Sequence, residues 1–401
     1  MILRLAATLF LTAWTLAASA QFVTDSVVRY NHLVSASVTP GIILQTNDFL
    51  RGDNATGQPM RHQVLTRAAF GWQTLGRKDW EVAHRLPSFG IGVATAFLYN
   101  KDEIGQPISL YGFYNGVFKR WDNHEFKYNI ETGVAFHWKS YNLHNNPNNI
   151  SIGSKITAHV GLNLEYSYTF ADRFVVGLGA GVTHFSNGAV RKPNKGINLF
   201  GGQLKLAYLL NDIKRPTHLP KVDKIKGNEL DVTIGYGIKR FEIDTLEYPG
   251  TRYEYEPKIH YNVLTLQAIY LHRYCHKGKY GGGFSFLYDD FMGSDLRPAD
   301  NGHAILIHGA VHKRFAIATM VAHEFCISRL SVVTQIGYYL LSPTDVVPKQ
   351  TKEPLFQRAG IKYTLPCNIH AGVHIYAHRL SVADFIEWNI GYSFNFKRKT
   401  A

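Results

Sequence analysis

Lys155–Phe170 reads KITAHVGLNLEYSYTF, and its side chains alternate without a break. Ile156, Ala158, Val160, Leu162, Leu164, Tyr166, Tyr168 and Phe170 fall on one face; Lys155, Thr157, His159, Gly161, Asn163, Glu165, Ser167 and Thr169 fall on the other. A period of two marks a β-strand with one apolar and one polar side. The run is about three times the five or six residues of an ordinary soluble strand. A soluble sandwich explains the alternation, but neither this length nor the aromatic residues gathered near strand ends. A barrel whose apolar side faces lipid explains all three.

The pattern recurs along the chain. Glu125–Trp138 (EFKYNIETGVAFHW) sets Phe126, Tyr128, Ile130, Val134, Phe136 and Trp138 against Lys127, Asn129, Glu131 and His137. Glu229–Phe241 (ELDVTIGYGIKRF) and Asp384–Phe396 (DFIEWNIGYSFNF) repeat it near the start and end of the second half. Eight periodic segments precede residue 211, and six to eight follow residue 228. Between them lies a basic, proline-bearing stretch, NDIKRPTHLPKVDKIKGN (residues 211–228), which reads as a linker before the remaining strands of residues 229–396. The sequence thus predicts an all-β fold: a transmembrane antiparallel outer-membrane β-barrel of residues 21–401. It is expected as one closed barrel of about 14 to 16 strands, with two fused eight-stranded barrels as the alternative.

Residues 1–20, MILRLAATLFLTAWTLAASA, carry Arg4, an apolar run and then Ala18 and Ala20. That order predicts a secretory signal peptide. Export bears on charge as well. The net charge of +13 would suit nucleic acid, but in an exported chain an anionic lipid surface is the better partner. Three widely spaced cysteines, Cys275, Cys326 and Cys367, form neither a disulfide framework nor a metal site.

Parity then isolates one polar group of residues. In Phe174–Ser186 (FVVGLGAGVTHFS) the apolar column Phe174, Val176, Leu178, Ala180, Val182 continues into His184 and Ser186. On the next strand Tyr208, Leu206, Leu204 and Phe200 lead back to Asn198, which antiparallel pairing should place near His184. Polar side chains on a lipid face are costly, less so near the interface, and call for a reason. An imidazole able to take the proton of a serine hydroxyl is the chemistry of acyl transfer. Asn187 and nearby backbone N–H groups are candidate oxyanion donors.

The stretch HFSNGAVRKPNKGIN (residues 184–198) resembles the H-x-S-N and P-N-x-G pattern of the lipid A 3-O-deacylase family of outer-membrane barrels, whose longer relatives are called acyloxyacyl hydrolases. NISIGSKITAHVGLNLEYSYTFADRF (residues 149–174) and ADFIEWNIGYSF (residues 383–394) are similar to those longer relatives. The classical family barrel would cover residues 60–210. The resemblance implies a carboxylic ester hydrolase of the outer membrane of a Gram-negative bacterium, with lipid A of lipopolysaccharide as substrate and no cofactor or metal. It implies His184 as base and Ser186 as nucleophile, and matches Asn187 and Asn194 to the motif's supporting asparagines. Asn198 stands where the family usually has a glutamate that orients the histidine. Asp384, which parity places on the outer column of the last strand, is a candidate substitute acid. The alternative is a non-catalytic barrel, a pore or a lipopolysaccharide-binding protein.

Other polar groups carry weaker signals. His308 and His312 would share a strand face, with His323 and Glu324 nearby, but no recognised metal-ligand spacing completes them. Interior or rim histidines are the expectation. Asn54 and Asn149 fit N-x-[ST], a pattern with little meaning in this setting.

Overall fold

Alternation builds strands of the expected length. The computed structural model describes residues 29–211, 219–223, 225–240, 260–292, 295–298, 304–307, 309–342, 354–379, 382–396 and 399–400. The predicted signal peptide lies outside the described residues. So do His308 and most of residues 211–218 of the linker stretch.

The first unit is a closed barrel of eight antiparallel strands. They are β1 (Tyr30–Leu44), β2 (His62–Thr74), β3 (Ser88–Phe97), β4 (Gly105–Trp121), β5 (His124–Trp138), β6 (Thr157–Phe170), β7 (Phe174–Ser186) and β8 (Ile197–Leu209). Closure comes from β1 on β8, in a register running from Leu33 opposite Leu209 to Leu44 opposite Asn198. One end carries the connections 45–61, 98–104, 139–156 and 187–196; the other has the short turns 122–123 and 171–173 together with residues 75–87. Long loops at one end and tight turns at the other are usual in outer-membrane barrels.

The outer columns are apolar and exposed: Val160, Leu162 and Leu164 on β6, Leu178 and Val182 on β7, Phe200, Leu204 and Leu206 on β8. The inner columns are polar and buried. Arg67 Nε lies 3.2 Å from Glu131 Oε2, while its Nη atoms donate to Thr39 Oγ1 at 2.9 Å and Thr183 Oγ1 at 3.1 Å. His159 Nε2 is 3.2 Å from the same Glu131 oxygen. Nearer the turn end, Lys127 and Lys205 each lie 3.1 Å from an oxygen of Glu165. An eight-stranded barrel is just wide enough for its inward side chains to fill it, so the interior is a packed core of paired charges.

The loop end is sealed differently. Asn47 caps the short helix Asp48–Arg51 by accepting from Leu50 N at 3.3 Å, and the helix drives Phe49 and Leu50 out of solvent. They join Ile43, Leu65, Ile104, Trp138, Ile152, Phe185, Ile197 and Leu199 in one apolar cluster. That cluster holds the ends of β7 and β8 rigidly against the barrel mouth.

The second unit closes separately. Its strands are β9 (Ile225–Arg240), β10 (His260–Cys275), β11 (Gly278–Asp289), β14 (Phe315–Ile327), β15 (Leu330–Leu341), β16 (Leu355–Thr364), β17 (Ile369–His378) and β18 (Val382–Asn395). β9 pairs with both β10 and β18, which completes a ring of eight. A hairpin of β12 (Asp295–Pro298) and β13 (Ala304–Ile307) is inserted between β11 and β14, and β19 (Lys399–Thr400) adds to the start of β9. The single 14 to 16 stranded barrel is therefore replaced by the alternative of two eight-stranded barrels. Periodicity is the same in both arrangements; only the pairing of β1 with β8 and of β9 with β18 separates them.

The interior of the second barrel is also filled. Lys362 binds Asp231 at 2.9 Å and also Glu324, Lys279 binds Glu229 and Glu324, and Arg358 binds Glu387 and Gln335. Among the described residues no helix is long and apolar enough to cross a membrane. Both units offer strands for that purpose.

Candidate active site

Three features of β7 and β8 fix the polar group. First, the inner face of β7 is anchored: Thr183 accepts from Arg67, and the Phe185 ring packs against Trp138 and His159 with centroids 5.2 Å apart in each case. His184, between two inward residues, must then point outward. Second, His184 lies directly opposite Asn198 on β8, flanked by the inward Ile197 and Leu199. Third, the imidazole Nδ1–H donates to Asn198 Oδ1 at 2.7 Å. The hairpin argument from parity thus finds its pair.

Ser186 is the next outer residue on the strand, opposite Ala158 of β6. It is buried, at 9% exposure, and its hydroxyl oxygen accepts from Asn194 Nδ2 at 2.7 Å. The other end of that amide accepts from Asn187 N at 3.4 Å and Gly153 N at 3.5 Å, so two backbone donors set its orientation. Asn187 is placed differently from the sequence expectation: its side-chain amide donates to Ser154 Oγ at 3.2 Å. Asn194 donates to the serine hydroxyl directly.

The geometry adds residues that the sequence reading passed over. Gly196, at φ +74°, lies against the histidine; a Cβ there would meet His184 Cε1 at 2.9 Å. The 139–156 loop clasps the 187–196 loop through Lys195 N to Ile150 O and Gly196 N to Ser151 O, each 2.9 Å. Asn149 secures the clasp from beneath. It is fully buried, donates to Glu103 O at 2.9 Å and Lys139 O at 2.7 Å, and accepts from Ile152 N at 3.1 Å. The signals were present: Gly196 is the glycine of P-N-x-G, and Asn149 opens the NISIGS stretch.

The family models match this architecture in two pieces. Lipid A 3-O-deacylase (PagL) matches residues 66–207, and acyloxyacyl hydrolase, C-terminal domain, matches residues 228–397. The chain belongs to the lipid A 3-O-deacylase family. It is an outer-membrane lipid A deacylase, a hydrolase of an ester bond, built on two barrels. No curated protein matches the chain. Among solved structures, the outer membrane enzyme PagL is similar at 18% identity over 43% of this chain and 97% of that one, with a TM-score of 0.30. A TodX monoaromatic hydrocarbon channel mutant is similar at 12% identity over 95% and 93% of the two chains, with a TM-score of 0.18.

The remaining expected groups have their own surroundings within the second unit. Asp384, expected on the outer column of β18, instead pairs with Lys239 at 2.8 Å and lies 3.5 Å from His378. A register shift between Tyr376 and Ala377 skips Asp384 in the ladder and upsets the parity count. His312 lies exposed in a 3-10 turn, Val311–Arg314, rather than on a strand. His323 is exposed and hydrogen-bonds Tyr274 Oη at 3.1 Å, whereas its neighbour Glu324 points into the barrel. Oxygens of Glu229, Asp231 and Glu324 lie within 4.8 Å of one another, but Lys279 and Lys362 already occupy the space among them. The three cysteines form no disulfide among the described residues.

Proposed function

We propose that this deacylase cleaves its ester with Ser186 as nucleophile and His184 as general base, at a site on the lipid-facing surface of the first barrel near its loop end. The observation that carries the reading is the 2.7 Å bond from His184 Nδ1 to Asn198 Oδ1, on the outer column that holds Ser186. With its proton on Nδ1, the imidazole keeps a lone pair on Nε2 for the serine hydroxyl. Residues two apart on one strand face are about 7 Å apart at Cα, a span that an extended imidazole bridges.

Ser186 Oγ attacks the acyl carbonyl as His184 takes its proton. The tetrahedral intermediate collapses, His184 protonates the departing alkoxide oxygen to release the alcohol, and the acyl chain stays on the serine. Water activated by the same histidine then releases the fatty acid and restores the hydroxyl. Asn194 Nδ2, already 2.7 Å from Oγ, is the donor best placed for the developing oxyanion. Below the pair, toward the middle of the strands, the exposed Val160, Val182 and Phe200 form an apolar track that suits the acyl chain.

The test is mass spectrometry of lipid A from an outer-membrane-competent host expressing the wild type or Ser186→Ala. Loss of one acyl mass with the wild type alone supports the mechanism and names the chain removed. Unchanged lipid A with both proteins folded in the outer membrane would overturn it.

A further inference from the structure

Charge is distributed unevenly around the proposed site. The two clasped loops, residues 139–156 and 187–196, contain Lys139, Lys155, Arg191, Lys192 and Lys195 and no aspartate or glutamate. Two of these lysines are placed by the hydrogen bonds that build the site. Lys155 follows Ser154, whose hydroxyl accepts from Asn187. Lys195 sits between Asn194, which holds Ser186, and Gly196, which packs on His184. Both are exposed, and neither has an ion-pair partner among the described residues. Lys139, by contrast, donates to Asp102 O at 3.2 Å.

We infer that Lys155 and Lys195 form a phosphate-recognising rim, which selects an amphiphilic ester whose headgroup carries phosphate and sets that headgroup above the serine. This rests on the deacylase mechanism proposed above and adds the recognition of the headgroup. The geometry supplies the division of labour. Apolar residues below the pair take the acyl chain, and the two exposed lysines lie in the loops beyond it, on the side where a headgroup leaves the hydrocarbon. Flexible lysines suit a phosphate at an aqueous rim, since each brings a strongly hydrated point charge that needs no fixed fork geometry. Anionic phospholipids around the barrel offer the same chemistry, so the experiment must separate substrate phosphate from leaflet charge.

The full chain, folded in neutral detergent micelles, is assayed on bisphosphorylated lipid A and on the same lipid stripped of phosphate, with Lys155→Gln, Lys195→Gln and the double variant alongside. The expected wild-type preference for the phosphorylated ester is about tenfold in kcat/KM, carried by KM, as two rim contacts would give. The double variant should lose that preference while cleaving the stripped lipid at the wild-type rate. Equal wild-type rates on the two lipids, or an equal loss on both in the double variant, would overturn the rim and leave the esterase standing. A lysine effect seen only in vesicles containing anionic phospholipid would overturn it too, by assigning the charges to the leaflet. Failure of the folded wild type to cleave either lipid would remove the esterase mechanism itself, and the rim with it.

Discussion

The two barrels place a histidine and its partner at nearly the same point of the ladder and use them in opposite ways. In the first, His184 lies two residues before the end of β7 and faces Asn198 at the start of β8, both on the outer column. In the second, His378 ends β17 and lies 3.5 Å from Asp384 near the start of β18, with Lys239 2.8 Å from that carboxylate. The connecting segment is ten residues in the first barrel, 187–196, and three in the second, 379–381. A carboxylate survives in the second because an ammonium neutralises it; the outward pair is neutral on both sides. Longer chain between the strands is what supplies Asn194, Gly196 and the clasp to the 139–156 loop. The comparison teaches that a histidine at a strand end becomes a candidate for chemistry through its loop and its orientation.

The largest expected effect separates the barrels outright. Ser186→Ala should lower deacylation by at least about a thousandfold, the scale on which removing a nucleophile acts, with heat-modifiable migration on gels unchanged. Retained turnover would place the chemistry elsewhere and end the contrast. Gly196→Ala comes next. It needs a side chain at φ +74° and a Cβ 2.9 Å from His184 Cε1, so the imidazole must shift. An ångström of misplacement costs about a hundredfold in kcat, with KM little changed. A wild-type kcat would mean that the glycine contact does not position the base.

Replacing Asn198 sharpens the comparison, because it moves the first barrel toward the acid–histidine pair of the second. An amide can present oxygen or nitrogen to the imidazole, and the second orientation puts the proton on Nε2, where it blocks the base. A carboxylate admits only the productive tautomer and also stabilises the imidazolium. Asn198→Glu should therefore raise kcat by about tenfold, and Asn198→Leu should lower it by more than that. Steady-state rates on detergent-dispersed lipid A decide this. A fall in kcat with Glu would mean that the neutral pair is itself what the apolar surface requires.

How much of this was readable in advance follows from the range of each signal. Strand identity, the outward column and the facing of His184 and Asn198 were all legible, because parity and a single hairpin fix them over a few residues. The number of barrels was not, since it depends on β1 meeting β8 and β9 meeting β18 across more than a hundred residues of chain. Asp384 was misplaced because the irregularity falls at Asp384 itself, between Ala383 and Phe385, so the parity that holds for Trp388 and Ile390 does not extend back to it. The separate tasks of Asn187 and Asn194 were hidden in loop conformation, which has no period to read. Asn149 was passed over because only its N-x-S pattern stood out and that pattern means little in this setting, while its buried bonds to Glu103 and Lys139 depend on loop packing.

The smallest expected effect on catalysis tests whether the chemistry belongs to the first barrel alone. Each interior has a cation binding two separated strands: Arg67 holds Glu131 and Thr183 in the first, and Lys362 holds Asp231 and Glu324 in the second. Exchanging either for methionine removes one cation from a buried network, leaving His159 beside Glu131 or Lys279 beside Glu324, so the loss stays below the about 3 to 5 kcal/mol of a carboxylate left wholly unpaired. Both variants should unfold at lower temperature in detergent. They should part in kcat per folded molecule, because Thr183 is bonded to His184 in the chain and loses its anchor only when Arg67 goes. Arg67→Met should lower kcat by a few-fold, the size of effect expected when a supporting bond loosens a catalytic group. Lys362→Met should leave kcat unchanged. Equal losses in the two would show that the second barrel shapes the reacting geometry, and that its acid–histidine pair is more than a lock on its own interior.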